Sequence, residues 1–356
     1  MKKVLTILLL AALTVGLFAG CGPQAEQPGT DSDSASAAPA PSTDTDSSAS
    51  SEPVALSPQE TLEASEHLIG ITDQKNSRII VCDLAEEDWE NDNAVVWEYK
   101  DKSCSSAAGI KFRYSEYWEE DVVIYCWHGG AAIVSYETKQ VLFRTTNVGE
   151  NPHSVELLPS GHFIVASSTD NDVRIYPLAS GEKGYSHKIE YPNAHGVLWD
   201  PKYEVVWMVG KNLLSAFMIG GTEDEPKFIP MTHMVYHTSK SGMHDLAPCY
   251  GDPDALFVTC SAGILKFDKV KEKFSSSYPG GSTGSRQSYA PGVGNFGHDD
   301  VLVFTTITKE TMVMTDYCTN IINIFVPAAK GAGRLIQRKA PDDAYYKCRV
   351  WSTDYQ

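Results

Sequence analysis

Positive charge is what this chain has least of. Its 356 residues carry 29 Lys and Arg against 46 Asp and Glu, a formal net charge of −17. Phosphate backbones need a basic face, so nucleic acid is not the expected partner. Cysteines are present but unpatterned: seven follow Cys21, an odd number, and none forms a CxxC or zinc-knuckle spacing. Cys82, Cys126 and Cys260 lie in apolar runs and read as small core residues. No pair of catalytic acids and no nucleophile elbow stands out. The glycine-rich stretch at 280–284 lacks the strand-to-helix setting of a phosphate-binding loop. Helical periodicity is missing beyond His67. With 42% hydrophobic and 10% aromatic residues, the chain is nevertheless too apolar to be disordered throughout.

The one long apolar run opens the chain. Lys2 and Lys3 precede Val4 to Gly20, and the run ends in Leu17-Phe18-Ala19-Gly20-Cys21. A charged start, an apolar middle and small residues before a cut make a secretory signal over residues 1–20. The Ala-Gly-Cys end resembles a bacterial lipoprotein signal, which implies that Cys21 is lipidated. Phe18 stands where such signals usually carry Leu. The resemblance implies a lipid-anchored protein on the extracytoplasmic face, touching the membrane through its anchor alone. From Gly22 to Pro58 there are six acidic residues and no basic one, among Ser, Ala, Pro and Thr. That composition buries too little apolar surface to offset chain entropy, so residues 21–58 are expected to be a coil. Such a tether spans about 30 Å. The remainder, 59–356, has 27 basic and 40 acidic residues and is acidic in its own right. Ser57-Pro58-Gln59-Glu60 predicts one short helix over Pro58–Glu66, with Ser57 as N-cap and Glu60 at the capping-box position.

Beyond His67 a repeat appears. Comparable units begin at Ala108, His153, His195 and His244, at spacings of 45, 42 and 49 residues. In each, a turn leads to an apolar second strand, then a tight turn to a third and a variable fourth. Four antiparallel strands per 40–50 residues is the pattern of a propeller blade. A fifth unit starts near Gln287–Ala290 and carries an inserted loop at Thr308–Cys318. The leftover ends complement each other: Cys348 to Trp351 reads as a first strand, and runs at Leu68, Arg78 and Val95 read as strands two to four. Joined, they close a six-bladed β-propeller and remove the exposed sheet edge. Seven blades remain open if the fifth unit hides another. The blade pattern, in runs such as Pro152 to Pro159 and Val173 to Tyr176, resembles secreted bacterial propellers of the NHL and YVTN-repeat kind, including uncharacterised surface lipoproteins. Propellers host enzymes, lectins and scaffolds alike, so this resemblance implies a fold rather than an activity.

Inner strands of a propeller line its channel, which sets His153, His195 and His244 at one mouth. Three imidazoles on an axis suit a divalent cation, with Gln287 as a fourth, oxygen ligand. By ligand type this set resembles the metal site of propeller-type oligogalacturonate lyases. The competing reading is structural: a duplicated His that bonds a neighbouring blade, although Ala108 and Cys348 take the same position elsewhere. At the same mouth His128 and Lys211 are candidate proton-transfer groups. Arg286, Tyr289 and Asp170 are candidate ligand contacts, though polar turn residues are ordinary and weaken the case for Lys211 and Asp170. Cys104 and Cys348 are a candidate disulfide that would staple the ring closure, worth about 2–4 kcal/mol. The sequence thus leads to a monomeric, anchored propeller binding a glycan or peptide at its mouth. The alternative is a metal-dependent carbohydrate-active enzyme such as a uronate lyase.

Overall fold

In the computed structural model, residues 56–179, 184–278, 280, 289–328 and 331–356 are described. Cys21, Arg286 and Gln287, and with them the signal and most of the tether, lie outside the described residues. The expected helix is present as α1 (Pro58–Ala64), with Ser57 and Glu60 in a reciprocal capping box. It buries Leu62 against the strands that follow. Among the described residues no helix is long and apolar enough to cross a membrane.

Apart from two 3-10 turns, Glu90–Asp92 and Lys102–Ser106, the other regular elements among the described residues are strands. Strands β1 (Leu68–Asp73), β2 (Arg78–Asp83) and β3 (Val95–Lys100) come first. Then follow β4 (Ala107–Ser115), β5 (Glu120–Trp127), β6 (Gly130–Ser135) and β7 (Val141–Thr145). The next unit is β8 (Pro152–Leu157), β9 (His162–Ser167), β10 (Asp172–Pro177) and β11 (His187–Glu190). After it come β12 (Ala194–Asp200), β13 (Val205–Gly210), β14 (Leu213–Gly221) and β15 (Pro226–His237). The fourth unit is β16 (Asp245–Pro248), β17 (Ala255–Cys260), β18 (Gly263–Asp268) and β19 (Lys273–Ser275). The last strands are β20 (Val293–Asn295), β21 (Leu302–Phe304), β22 (Ile321–Val326), β23 (Arg334–Lys339) and β24 (Tyr345–Val350).

These make six four-stranded antiparallel sheets, five of them consecutive in sequence and the sixth ordered β24-β1-β2-β3. The protein is therefore a six-bladed propeller, closed where Ile69, Gly70 and Ile71 pair with Val350, Arg349 and Cys348. Among the described residues the fifth unit forms a single four-stranded sheet, so it holds no seventh blade. Its inner strand begins at Val293, later than the Gln287–Ala290 start expected from the repeat, because Pro291 and Gly292 interrupt pairing there; Tyr289 makes only an isolated bridge to Ile307.

Burial follows blade position. Second strands such as β9, β13 and β17 are buried at every residue, whereas outer β11 alternates half-buried and exposed. A strand covered on both faces by neighbouring blades needs apolar side chains on both, hence continuous runs such as Val205 to Val209. Apolar clusters fill the spaces between adjacent blades, as Leu198, Trp207 and Leu214 meet Leu246, Val258 and Phe267. Cys104 and Cys348 are both free thiols, which corrects the expected bridge. Each is buried in a different cluster, Cys104 beside Ile79 and Tyr125 and Cys348 beside Ile69 and Tyr345. Burial pushes both thiols up to about 12.

The channel itself is filled. Lys111 donates through Nζ to the carbonyls of Val155 and Val197 on the next two inner strands. Arg113 forks onto Glu156 at 2.8 and 2.9 Å. From the closing strand, Lys347 Nζ reaches Asp245 at 3.2 Å and the His153 carbonyl at 3.0 Å, while Arg349 forks onto Asp245. All six side chains are buried. At the C-terminal ends of the inner strands the tail lies across the ring: Tyr355 donates to the Leu157 carbonyl at 2.7 Å and stacks under Arg113.

Candidate functional site

The opposite mouth is where the histidines meet, and a backbone irregularity puts them there. The pairing register of β4 with β5 slips between Ala107 and Gly109, that of β8 with β9 between Pro152 and Ser154, and that of β12 with β13 between Ala194 and Gly196. The residue passed over is Ala108, His153 or His195. Such a bulge bends the strand and re-aims one side chain, here towards the axis. The closing strand slips in the same way opposite Thr72, which re-aims Tyr346. Two residues before each bulged His the chain turns through left-handed backbone, at Asn151 (φ 56) and Asn193 (φ 51); Gly242 (φ 65) precedes His244 likewise. Asn and Gly are the residues that enter this region most readily.

That turn aims a carbonyl at the following ring. His153 Nδ1 lies 3.0 Å from the Asn151 carbonyl and His195 Nδ1 2.8 Å from the Asn193 carbonyl. A carbonyl only accepts, so both Nδ1 atoms carry the proton and both Nε2 atoms keep a free lone pair. His244 differs. Its Nε2 lies 3.0 Å from the Tyr346 hydroxyl and also meets the Tyr289 hydroxyl, while its buried Nδ1 has no partner among the described residues. The ring centroids are 4.3 Å apart for His153 and His195, 4.7 Å for His195 and His244, and 5.4 Å for His153 and His244. One ligand atom from each lies within 4.8 Å of the others.

All three imidazoles are held neutral. Burial, then the neighbouring His195 and the Lys347 ammonium, holds His153 well below its usual value, and the same three causes act on His244. Burial, with a further contribution from Lys347, brings His195 down to about 4 against the Asn193 carbonyl. Burial raises the phenols of Tyr289 and Tyr346, so both stay protonated donors.

The cavity over these rings holds about 410 Å³ and is lined by Gln74, Asn151, the three histidines, His128 and three tyrosines, 289, 317 and 346, with Ser106 and Ala108. The structure therefore brings His153, His195, His244, His128 and Tyr289 to one cavity. Lys211 and Asp170 do not line it. Lys211 sits exposed in the β13–β14 turn with φ 51, its carbonyl taken by the Met243 amide at 2.9 Å, and Asp170 pairs with Arg174 at 3.3 Å. No carboxylate lines the cavity among the described residues.

Tyr346 and Tyr317 are the wall residues that repeat counting misses. Tyr346, not Cys348, occupies the position of the bulged histidines, because the bulge adds a residue ahead of the paired part of β24. Its signal is the match of Tyr346-Lys347-Cys348 to His153-Ser154-Val155. Tyr317 comes from the inserted loop, which has no counterpart in other blades, and stands half exposed with Met312 and Met314 on the same loop.

Solved structures share the fold at low identity. A putative 6-phosphogluconolactonase from Bacteroides uniformis is 12% identical with a TM-score of 0.50, over 76% of this chain and 81% of its own. A chain of a nidogen/laminin complex is 9% identical with a TM-score of 0.53, over 82% of this chain and 100% of its own. Hydrazine synthase of Kuenenia stuttgartiensis is 12% identical with a TM-score of 0.47, over 66% of each chain. At such identities the first two likenesses speak for the propeller fold alone. None of the curated proteins is similar to this chain in sequence. Residues 42–277, which run through the fourth blade, match the model of one family, and the chain belongs to it: DUF6528, a family of unknown function.

Proposed function

We propose that this protein is a lipid-anchored, extracytoplasmic propeller that binds a glycan or a peptide at the histidine-lined mouth. The observation that carries the reading is the cavity's make-up. Tyr317 offers a half-exposed aromatic face and a hydroxyl, and His153 and His195 offer acceptor nitrogens, while the Tyr289 and Tyr346 hydroxyls are held on His244 and the Gln74 amide between Ala107 and Cys318. Hydroxyl-rich ligands stack on aromatic faces and exchange hydrogen bonds with such groups. Tyr317, half exposed on the inserted loop, adds an aromatic edge to the wall, suited to a ligand longer than the cavity. Below, the filled channel makes the mouth a blind site rather than a pore.

A second reading, a uronate lyase, is favoured by one observation. His128 lines the cavity with the three histidines and is the remaining candidate for proton transfer, since Lys211 does not line it.

Binding to glycan and peptide arrays, run both with added zinc and with EDTA, tests the first reading. Full-length protein should retain a defined class of ligands, and Tyr317→Ala should lose them while melting normally. Equal binding by Tyr317→Ala, or none by the parent, would overturn it. Unsaturated products released from uronate polymers, absent with His128→Ala, would instead establish the second.

A further inference from the structure

We propose that His153, His195 and His244 hold one divalent transition-metal ion of the zinc class at this mouth, leaving an open coordination position that takes a ligand carboxylate. The inference rests on reading this cavity as the ligand site. It begins with the pinned rings. Because the Asn151 and Asn193 carbonyls fix the proton on Nδ1, His153 and His195 present two lone pairs to one small volume. A metal-bound histidine is held in this way, its other nitrogen donating to a carbonyl that sets tautomer and aim. Two converging acceptors do not suit an anion as first occupant. They suit a cation or a hydroxyl donor.

The third ring supplies the independent sign of a missing partner. His244 is 5% exposed, lines the cavity, and keeps Nδ1 without a hydrogen bond among the described residues. An unsatisfied polar atom at such depth is costly, and a ligand that pairs with the ring removes the cost. The Pro291 carbonyl lies near this ring, but no hydrogen bond of ordinary geometry reaches Nδ1 among the described residues. The candidate atoms lie within 4.8 Å of one another. Tetrahedral bonds of about 2.0–2.1 Å place ligand nitrogens roughly 3.3 Å apart, so each ring has to move by about an ångström.

Charge then selects what fills the open position. The channel beneath holds four cations, Lys111, Arg113, Lys347 and Arg349, against two carboxylates, Glu156 and Asp245. A dication set over that excess is stable only with an anionic co-ligand, because buried charge is costly unless balanced. The Tyr289 and Tyr346 hydroxyls now rest on His244 Nε2. Displaced by the metal, they become donors for a carboxylate on it. A uronic acid residue or a peptide's acidic group carries that chemistry.

The test uses full-length protein stripped with chelator and titrated with Zn²⁺ alone. One ion per chain should bind, and His153→Ala and His195→Ala should each weaken it at least roughly 10-fold while the circular dichroism stays unchanged. His233→Ala, at an exposed histidine that does not line the cavity, should bind as the parent does. No stoichiometric zinc, or equal binding by the two histidine variants, would overturn the site. Co²⁺-loaded protein should show a tetrahedral visible spectrum that shifts with added acetate; an unchanged spectrum would overturn the carboxylate position. Array binding that persists in EDTA while zinc fails would sink this inference and leave the ligand-binding reading standing.

Discussion

Replacing Asp245 with Ala should unlock the ring at the point where the chain closes. This carboxylate is wholly buried and accepts from both terminal nitrogens of Arg349, from Lys347 Nζ at 3.2 Å and from the Val293 amide at 3.3 Å. Burial alone would raise its pKa, but Arg349 and then Lys347 hold it below the usual carboxylate range, so it is ionised. Both cations sit on β24, the last strand laid into the ring. Without Asp245 they stay buried and uncompensated, a change that costs about 3–5 kcal/mol. A domain of this kind has about 5–15 kcal/mol in hand. With a urea dependence of about 3 kcal/mol per molar, the midpoint should fall by roughly 1–1.7 M. Equilibrium unfolding followed by circular dichroism reads this directly. Asp245→Leu combined with Lys347→Met and Arg349→Met should recover most of the loss, since apolar groups of similar volume replace buried ion pairs at little cost. A fall below about 0.3 M for Asp245→Ala, which is about 1 kcal/mol, would refute the electrostatic closure.

Other outcomes follow from the same geometry. Deleting Cys348–Gln356 should leave the protein aggregated in size-exclusion chromatography, because it strips the sixth blade of half of its inner strand and reopens a sheet edge; a monomer with normal melting would contradict this. Gly109→Val should destabilise the closure between the first two blades, since a Cβ there meets the His153 carbonyl at 2.7 Å, and thermal melting of the variant checks it. The pair of His67 and Asp299, 2.7 Å apart, should make stability depend on pH. Burial opposes charge on His67, but Asp299 and the Leu62 and Ser65 carbonyls outweigh it and raise its pKa. A raised histidine contributes fully below its unfolded value of about 6.5 and loses that contribution as pH rises through the folded value. The parent should therefore lose melting temperature above about pH 7 relative to His67→Gln; parallel profiles would refute it. His298, tilted against His67, faces the same pair and belongs in the comparison.

The blades were legible because a strand covered on both faces must be apolar along its length, so Val205 to Val209 and Leu256 to Val258 stand out at a steady interval. Closure was legible because Cys348 to Trp351 had no partner unless it met the strand at Leu68. The gathering of His153, His195 and His244 also followed from counting along equivalent inner strands. What the repeat concealed was the bulge. It inserts a residue where period-two reasoning expects none, so the strand was started at Cys348 and Tyr346 was left outside it. The fifth blade was placed too early for a related reason: Pro291 and Gly292 delay pairing until Val293. Tyr317 belongs to an insertion and obeys no repeat. Lys211 and Asp170 share a turn position with His128, yet turn position does not set side-chain direction. The charged plug was written in the inner strands as Lys111, Glu156 and Arg349, each three residues past the bulge, but only cross-channel distances show which charges meet.

Crystals of the propeller grown with zinc, measured across the zinc absorption edge, test the central claim most directly. The account predicts one anomalous peak at the channel mouth, about 2.0–2.1 Å from a nitrogen of each of His153, His195 and His244. A ring closed as described but without that peak, or with the three imidazoles directed apart, would contradict it.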